Sequence, residues 1–339
     1  MKNSGVSIII STFNGASRLE DTLVALSRLN VSQIPFIELI LVDNASTDNT
    51  FLFSQELWHK LGTPFPINCL HEETPGKLNA QEKGLKYAKG EFILICDDDN
   101  VLFPEYLQIG YKILTDNPRI GVLGGQGIAL STVPLPDWFQ NYSYYFACAP
   151  QAPATGNVNP TRNVVYGAGM WFRKSAYDKA KQLGFNFILA SRTGKKLTTG
   201  AEDSELCWAI RFQNFEVWYI EELKFFHHIP PNRLTKDYKI KLIQGMQTNG
   251  PYGNLYIRVW KNEISEKVKL FWLKECFYTL FYIFMLPFNH RINNKKVDLK
   301  RGVHNITVFL RDRSKYDSKI NKLIEYKEKC VKYNVLENL

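Results

Sequence analysis

The chain has 339 residues, 45 % apolar and 22 % charged, with no low-complexity tract. That excludes an extended disordered protein and leaves room for one large α/β domain with an appendage, or for two modest domains. The net charge of +9 favours anionic partners: phosphorylated small molecules, nucleic acid or an acidic membrane surface. Cys69, Cys96, Cys148, Cys207, Cys276 and Cys330 have neither CxxC nor metal-ligand spacing, which fits reduced thiols in a cytosolic protein. The chain enters "VSIIIST" without the pattern of a signal peptide, so a cytoplasmic location is expected.

The first 120 residues alternate short apolar runs with helical periodicity. Val6–Ser11 reads as a strand, and Ser17-Arg18-Leu19-Glu20 has capping-box spacing before a helix with Leu19, Leu23 and Leu26 in phase. Ile37–Asp43 is a second strand. Ser46 or Thr47 is placed to cap the next helix, where Phe53, Leu57 and Leu61 recur at four-residue steps. "PINCLH" predicts a third strand, "GKLNAQEKGLKYAKG" a helix that stops at Gly90, and "EFILIC" a fourth strand. Pro104 opens a further helix with Leu107, Tyr111 and Leu114 in phase. This alternation predicts an α/β fold with a mostly parallel central sheet flanked by helices, whose ligands lie beyond the carboxyl ends of the strands. Polar clusters fall there each time: Ser11-Thr12-Phe13-Asn14, Asp43-Asn44 and Asp97-Asp98-Asp99. Residues 121–165 read as irregular loops and short strands. "VVYGAGMWFRKSAYDKA" follows as strand, glycine turn and helix, "TTGAEDSELCWAIRFQN" as a loop entering a helix, and "EVWYIEELKFFHHIPPNRL" as a strand ending in a histidine pair.

The acidic triplet closing "EFILICDDD" is the most informative feature. In an extended chain Asp97 and Asp99 share a face roughly 7 Å apart, and at an effective dielectric near 20 they repel by about 2 kcal/mol. Capping of the following helix needs one such carboxylate, not three. A divalent cation, Mg²⁺ or Mn²⁺, removes the repulsion and characteristically takes one or two carboxylates plus substrate phosphates.

Six segments in order, "VSIIISTFN", "ELILVDNASTDNT", "GKLNAQEKGLKYAKGEFILICDDD", "GAGMWFRK", "GAEDSEL" and "HHIPPNRLT", give the first 235 residues a resemblance to inverting glycosyltransferases of family 2, with the GT-A fold. The resemblance implies a nucleotide-diphosphate sugar donor, UDP-linked by default, and a glycan or lipid-linked glycan acceptor in bacterial surface-polysaccharide or glycolipid synthesis. Ser11, Thr12, Phe13 and Asn14 would then line the donor site, with Phe13 stacking on the base or simply packing in the core. Asp43 would accept a hydrogen bond from the base or close its own turn. Lys77 would lie near the donor or be solvated at its helix start, and Gln81 and Glu82 stand where many members have an Arg-Asn pair. Asp97 and Asp98 would hold the ribose or assist the metal, Asp99 would ligate the metal, and His227 would reach the metal or the diphosphate. Asp203 would be the base that deprotonates the acceptor, beside Glu202, Gly167 and Gly169 on the acceptor side; otherwise Glu202 and Asp203 only offset a helix dipole. Arg233 would steady a phosphate or form a salt bridge. The resemblance divides the chain into a donor-binding half (1–120), an acceptor-binding and catalytic half (121–240) and a helical extension (241–339). A sugar-1-phosphate nucleotidyltransferase would need a glycine-rich loop after the first strand, where "STFNGASRLE" has one glycine; a nucleotide-sugar-binding scaffold would need neither Asp203 nor the full triplet.

The last hundred residues lie outside the resemblance. "LFWLKECFYTLFYIFMLPF" is densely apolar, but its uninterrupted part is too short to span a bilayer, which takes about 20 residues. Arg291, Lys295, Lys296, Lys300 and Arg301 follow it, and residues 289–339 carry 13 basic against six acidic side chains. Such a segment suits the headgroup region of an anionic membrane on its cytoplasmic face, or packing on the catalytic domain or a second copy. No nucleic-acid recognition module is visible, and no nucleic-acid partner is expected.

Overall fold

The computed structural model describes residues 3–189, 200–248, 250–288 and 295–337. They divide into a larger unit, running to Gln182 and resuming up to Leu242, and a smaller one made of Leu183–Leu189 and the residues from Ile243 onward.

In the larger unit, β1 (Asn3–Thr12), α1 (Leu19–Ser27), β2 (Ile37–Asp43), α2 (Thr50–Lys60), β3 (Ile67–His71), α3 (Lys77–Tyr87) and β4 (Gly90–Asp97) follow the predicted alternation. They lead into β5 (Asn100–Leu102), α4 (Tyr106–Asp116), β6 (Ile120–Leu130), β7 (Gly156–Asn157), β8 (Met170–Arg173), α5 (Lys174–Gln182), α6 (Glu202–Arg211) and β9 (Glu216–His228). One sheet runs β3-β2-β1-β4-β8-β6-β9-β5, with β7 on β9. From β3 to β4 it is parallel, because each strand is followed by a crossover helix that returns the chain in the same sense. Beyond β4 it is mixed: β8 is antiparallel to both β4 and β6, and β9 is parallel to β6 but antiparallel to β5. β8 enters after the irregular 131–169 stretch, with no crossover helix to impose a direction.

Val6, Ile8, Ile9 and Ile10 are all fully buried, as a strand covered on both faces requires. Leu19, Leu23 and Leu26 of α1 join the same apolar cluster as Val6, Ile8 and Ile10. Four local expectations are corrected. Ser17 does not cap α1; Arg18 occupies the cap position with no side-chain bond to the helix, because its guanidinium is drawn toward Asp98. Neither Ser46 nor Thr47 caps α2: both bond Asn14, while Asp48 Oδ1 accepts the Thr50 N–H at 3.1 Å. The fully buried stripe of α2 is Thr50, Ser54 and Trp58, with Phe53, Leu57 and Leu61 only partly covered beside it. Trp58 wins the interior position because its indole N–H donates to the Phe65 carbonyl at 3.0 Å while its ring meets Phe65 edge-on. In "VVYGAGMWFR" the strand follows the glycine turn instead of preceding it.

Register then places the site. Thr12 pairs with Asp43 across β1/β2, and Ser11 with Asp97 across β1/β4, so three polar strand ends stand on one rim.

Helices α7 (Lys236–Thr248), α8 (Gly250–Trp260), α9 (Phe271–Met285) and α10 (Lys295–Glu337) follow. Within the smaller unit, Asp317 of α10 accepts the backbone N–H groups of Phe271 (3.2 Å) and Trp272 (3.0 Å), capping α9, and Arg258 pairs with Glu275 at 3.0 Å. The outer side of α9 is bare: Phe277, Phe281 and Phe284 are 65, 64 and 68 % exposed. Among the described residues, no helix is long and apolar enough to cross a membrane. Arg291 and the side chain of Lys296, counted in the basic cluster, lie outside the described residues, as do residues 190–199, which include Thr198 and Thr199 of the loop expected before α6.

Candidate active site

β4 ends at Asp97, and Asp98 and Asp99 occupy the turn before β5. The strict alternation expected of an extended chain therefore stops one residue early, and the three carboxylates splay toward different cations. Asp97 Oδ1 accepts from Lys77 Nζ at 2.6 Å. Asp98 Oδ2 accepts from Thr12 Oγ1 and from Arg18 Nη2, both at 2.6 Å. Asp99 has His227 Nε2 at 3.4 Å from Oδ1 and Arg233 Nη1 at 3.4 Å from Oδ2. The repulsion inferred from the sequence is thus partly offset by protein cations.

Asp99 and His227 meet because Asn100 is the register partner of His227 in the β5/β9 ladder, while the His228 N–H donates to the Asp99 carbonyl at 2.9 Å. His227 Nδ1 lies 2.8 Å from the Phe146 carbonyl and 3.8 Å from Cys148 Sγ. Burial raises the Asp99 carboxyl, but the charge and hydrogen bond of His227 and the charge of Arg233 hold it well below the usual range. Burial lowers the His227 imidazole, and Asp99, aided by the Cys148 hydrogen bond, outweighs that and carries it up to about 10. Burial and the neighbouring Asp99 charge push the Asp98 carboxyl up against the pull of Arg18.

These shifts carry a pH dependence. His227 contributes stability that is fully present below its ordinary 6.5 and is lost as pH rises through about 10. Asp99 contributes stability present above 3.8 and lost only as pH falls well below it. In chelator, the difference in unfolding free energy between the native protein and His227→Gln shrinks by roughly 2–4 kcal/mol between pH 6 and 10. Urea titrations at both pH values measure it, and a difference independent of pH contradicts the pairing.

A divalent cation fits this arrangement. The Nδ1–H donated to the Phe146 carbonyl leaves Nε2 turned to Asp99, the orientation that metal-binding histidines need. Among the described residues no three His, Cys, Asp or Glu side chains converge to hold a metal ion. The donor set therefore suits an ion that takes Asp99, His227, phosphate oxygens and water, not a closed zinc cage.

The neighbouring strand ends form the other wall. Phe13 is 48 % exposed, so it is not core packing; its ring is open to a planar ligand. Asp43, buried, accepts the Ser46 N–H at 3.2 Å and has His71 Nδ1 at 3.1 Å from Oδ2, so it closes a turn and keeps acceptor capacity. Asn14, with φ 48°, ties the β1 and β2 loops by accepting the Thr47 N–H at 2.8 Å. The Ser11 hydroxyl is buried with no hydrogen-bond partner among the described residues. Glu82 pairs with Lys181 at 2.9 Å, away from the triplet.

The second cluster comes from α6 and the turn before β8. Asp203, in the first turn of α6, accepts the Gly167 N–H at Oδ2 (2.9 Å) and its neighbour Ser204's N–H at Oδ1 (2.7 Å). A Cβ on Gly167 would lie 3.0 Å from Asp203 Cβ and 3.1 Å from its Oδ2, so only glycine leaves the carboxylate where it is. Gly169 adopts φ 68°, and its carbonyl accepts from the buried Tyr106 hydroxyl at 2.6 Å, fixing the turn. Glu202 is buried and folds back over Gly200. The structure thus brings Gly167 and Asp203 into contact and gathers Lys77, Arg18, His227 and Arg233 about the triplet. Arg18 was missed because it lies 80 residues from Asp98, with no spacing to announce the contact.

A model described as glycosyl transferase family 2 matches residues 7–180. The poly-β-1,6-N-acetyl-D-glucosamine synthase of Staphylococcus epidermidis is 24 % identical over 220 residues, covering 63 % of this chain and 48 % of that one. The poly(ribitol-phosphate) β-N-acetylglucosaminyltransferase TarS of Staphylococcus aureus is 28 % identical over 102 residues, 30 % of this chain and 17 % of its own. This chain spans about half the length, or less, of these curated relatives. The crystal structure of S. aureus TarS 1–349 in complex with UDP-GlcNAc superposes with a TM-score of 0.54 at 15 % identity, covering 97 % of this chain and 91 % of that one, a likeness of fold.

Proposed function

The chain belongs to glycosyl transferase family 2, and from that premise we propose that it moves a sugar from a nucleotide-diphosphate donor to an acceptor hydroxyl with inversion, in the assembly of a bacterial surface glycan or glycolipid. The observation that carries the reading is the Asp203 carboxylate, held by the Gly167 N–H on the same chain that lines three strand ends with carboxylates, cations and an open aromatic ring. Phe13 stacks on the base and Asp43 accepts from it. Lys77 and Arg18 orient Asp97 and Asp98 toward the ribose and diphosphate. Asp99 and His227 would hold Mg²⁺ or Mn²⁺, which when bound offsets the charge of the departing diphosphate. Asp203 takes the acceptor proton as the hydroxyl attacks from the opposite face, so no protein acid is needed for the leaving group.

Both relatives named above act, by name, in N-acetylglucosamine chemistry, which makes UDP-GlcNAc the first donor to test. A thermal-shift panel of UDP-, GDP- and dTDP-sugars with and without Mn²⁺ should give a Mn²⁺-dependent rise for one nucleotide class. No shift with any of them refutes the donor assignment.

We infer further that α9 rests on an anionic membrane surface. Its support is the exposed aromatic row Phe277, Phe281 and Phe284 in a chain whose last 51 residues are strongly basic. Sedimentation with phosphatidylglycerol vesicles should exceed that with phosphatidylcholine and fall in high salt. Replacing the three phenylalanines by serine should abolish it; equal sedimentation of that variant refutes the contact.

A further inference from the structure

One cation beside the acceptor side has no assigned task. Arg162 packs against two tyrosines that meet edge-on, their ring centroids 5.6 Å apart, with its Cζ 4.2 Å from the centroid of Tyr166 and 4.6 Å from that of Tyr144. Its Nε and Nη1 are buried and have no hydrogen-bond partner among the described residues. A guanidinium is charged at any relevant pH, and cation–π contact returns only part of what its desolvation costs. The nearby Arg211 donates through Nη1 to Asn163 Oδ1 at 2.7 Å and stacks on Trp208.

The surroundings hold this group in place. The Tyr166 N–H donates to Gln151 Oε1 at 2.7 Å, and Gln151 in turn donates to the Gly125 carbonyl at 2.7 Å. Tyr166 directly precedes Gly167, whose N–H holds Asp203. Tyr144 is 45 % exposed, so the cluster opens to solvent on that side.

We propose that Arg162, framed by Tyr144 and Tyr166, binds an oxyanion carried by the acceptor, a phosphate or a carboxylate, and so selects charged acceptors and positions their hydroxyl at Asp203. This rests on the reading of the Asp203 side as the acceptor side. An oxyanion completes the unpaired donors with charge-assisted hydrogen bonds, and the exposed Tyr144 offers apolar surface to the attached sugar or polyol. Anchoring one residue away from the turn that holds Asp203 turns that binding into orientation of the reacting hydroxyl.

The test saturates the full chain with UDP and Mn²⁺, so that the diphosphate position is filled, and titrates glycerol 3-phosphate, glucuronate and glycerol by calorimetry. The oxyanions should bind at least roughly tenfold more tightly than glycerol, and preference between them identifies phosphate or carboxylate as the recognised group. Arg162→Gln should reduce the oxyanions to the level of glycerol, and Arg162→Lys, which keeps the charge without the planar fork, should retain part of the affinity. Asp203→Asn should bind them normally, which separates failure of this site from failure of the base assignment. If Arg162→Gln does not fold, Tyr144→Ala, which removes the exposed wall, should weaken oxyanion binding at an unchanged melting temperature. Oxyanions that bind no better than glycerol, or undiminished in the folded variants, overturn the proposal.

Discussion

Asp203→Asn is expected to lower kcat by roughly 10²- to 10⁴-fold while the donor Kd stays close to that of the native protein. An inverting transfer asks one group to take a proton at the moment of attack. Asp203 is suited to it by position: backbone N–H groups of Gly167 and Ser204 hold both carboxylate oxygens. Asparagine can replace only one of those acceptors, because its amide nitrogen would face an N–H donor. A fold penalty of about 1–2 kcal/mol accompanies the change, so turnover is to be expressed per folded molecule. Asp203→Glu keeps the base but moves it by a methylene, and a misplacement of about 1 Å costs on the order of a hundredfold. Near-native turnover in the asparagine variant would remove Asp203 from the mechanism.

The second large effect is expected at Asp99. If Asp99 holds the ion as proposed, Asp99→Asn should abolish the Mn²⁺-dependent thermal shift given by the nucleotide and reduce transfer by about a hundredfold or more, since several kcal/mol of leaving-group stabilisation would go with the ion. It should also destabilise the metal-free protein by roughly 3–5 kcal/mol near neutral pH, because His227 and Arg233 lose the carboxylate they share in a buried place. Two readouts separate the roles. A variant that melts lower but still responds to Mn²⁺ would leave Asp99 as a structural ion-pair member and move the metal elsewhere.

Much of the larger unit was legible in the sequence because its signals are local. The phased Leu19, Leu23 and Leu26 are all fully buried, and "IELILVD" is β2 residue for residue. Strand-end polar clusters follow from the same logic, since a parallel strand covered by helices must end where its polar residues begin. Periodicity failed where two stripes competed: α2 offers Phe53/Leu57/Leu61 and Thr50/Ser54/Trp58 at the same spacing, and the indole's hydrogen bond to Phe65 decides between them. It failed again at Asp98 and Asp99, where the turn before β5 ends the alternation that an extended chain would keep.

The sequence by itself determined the order of strands and helices through β4, the rim on which polar groups collect, and the presence there of three carboxylates. Those depend on residues within one or two turns of each other, whose pattern is written along the chain. Only the tertiary structure decided which cation faces which carboxylate: Arg18 at Asp98, Lys77 at Asp97, His227 and Arg233 at Asp99, and the Gly167 N–H at Asp203. These partners are joined by strand register and loop closure across 20 to 134 residues. Their pairing is a consequence of how the sheet is assembled, which no local spacing encodes.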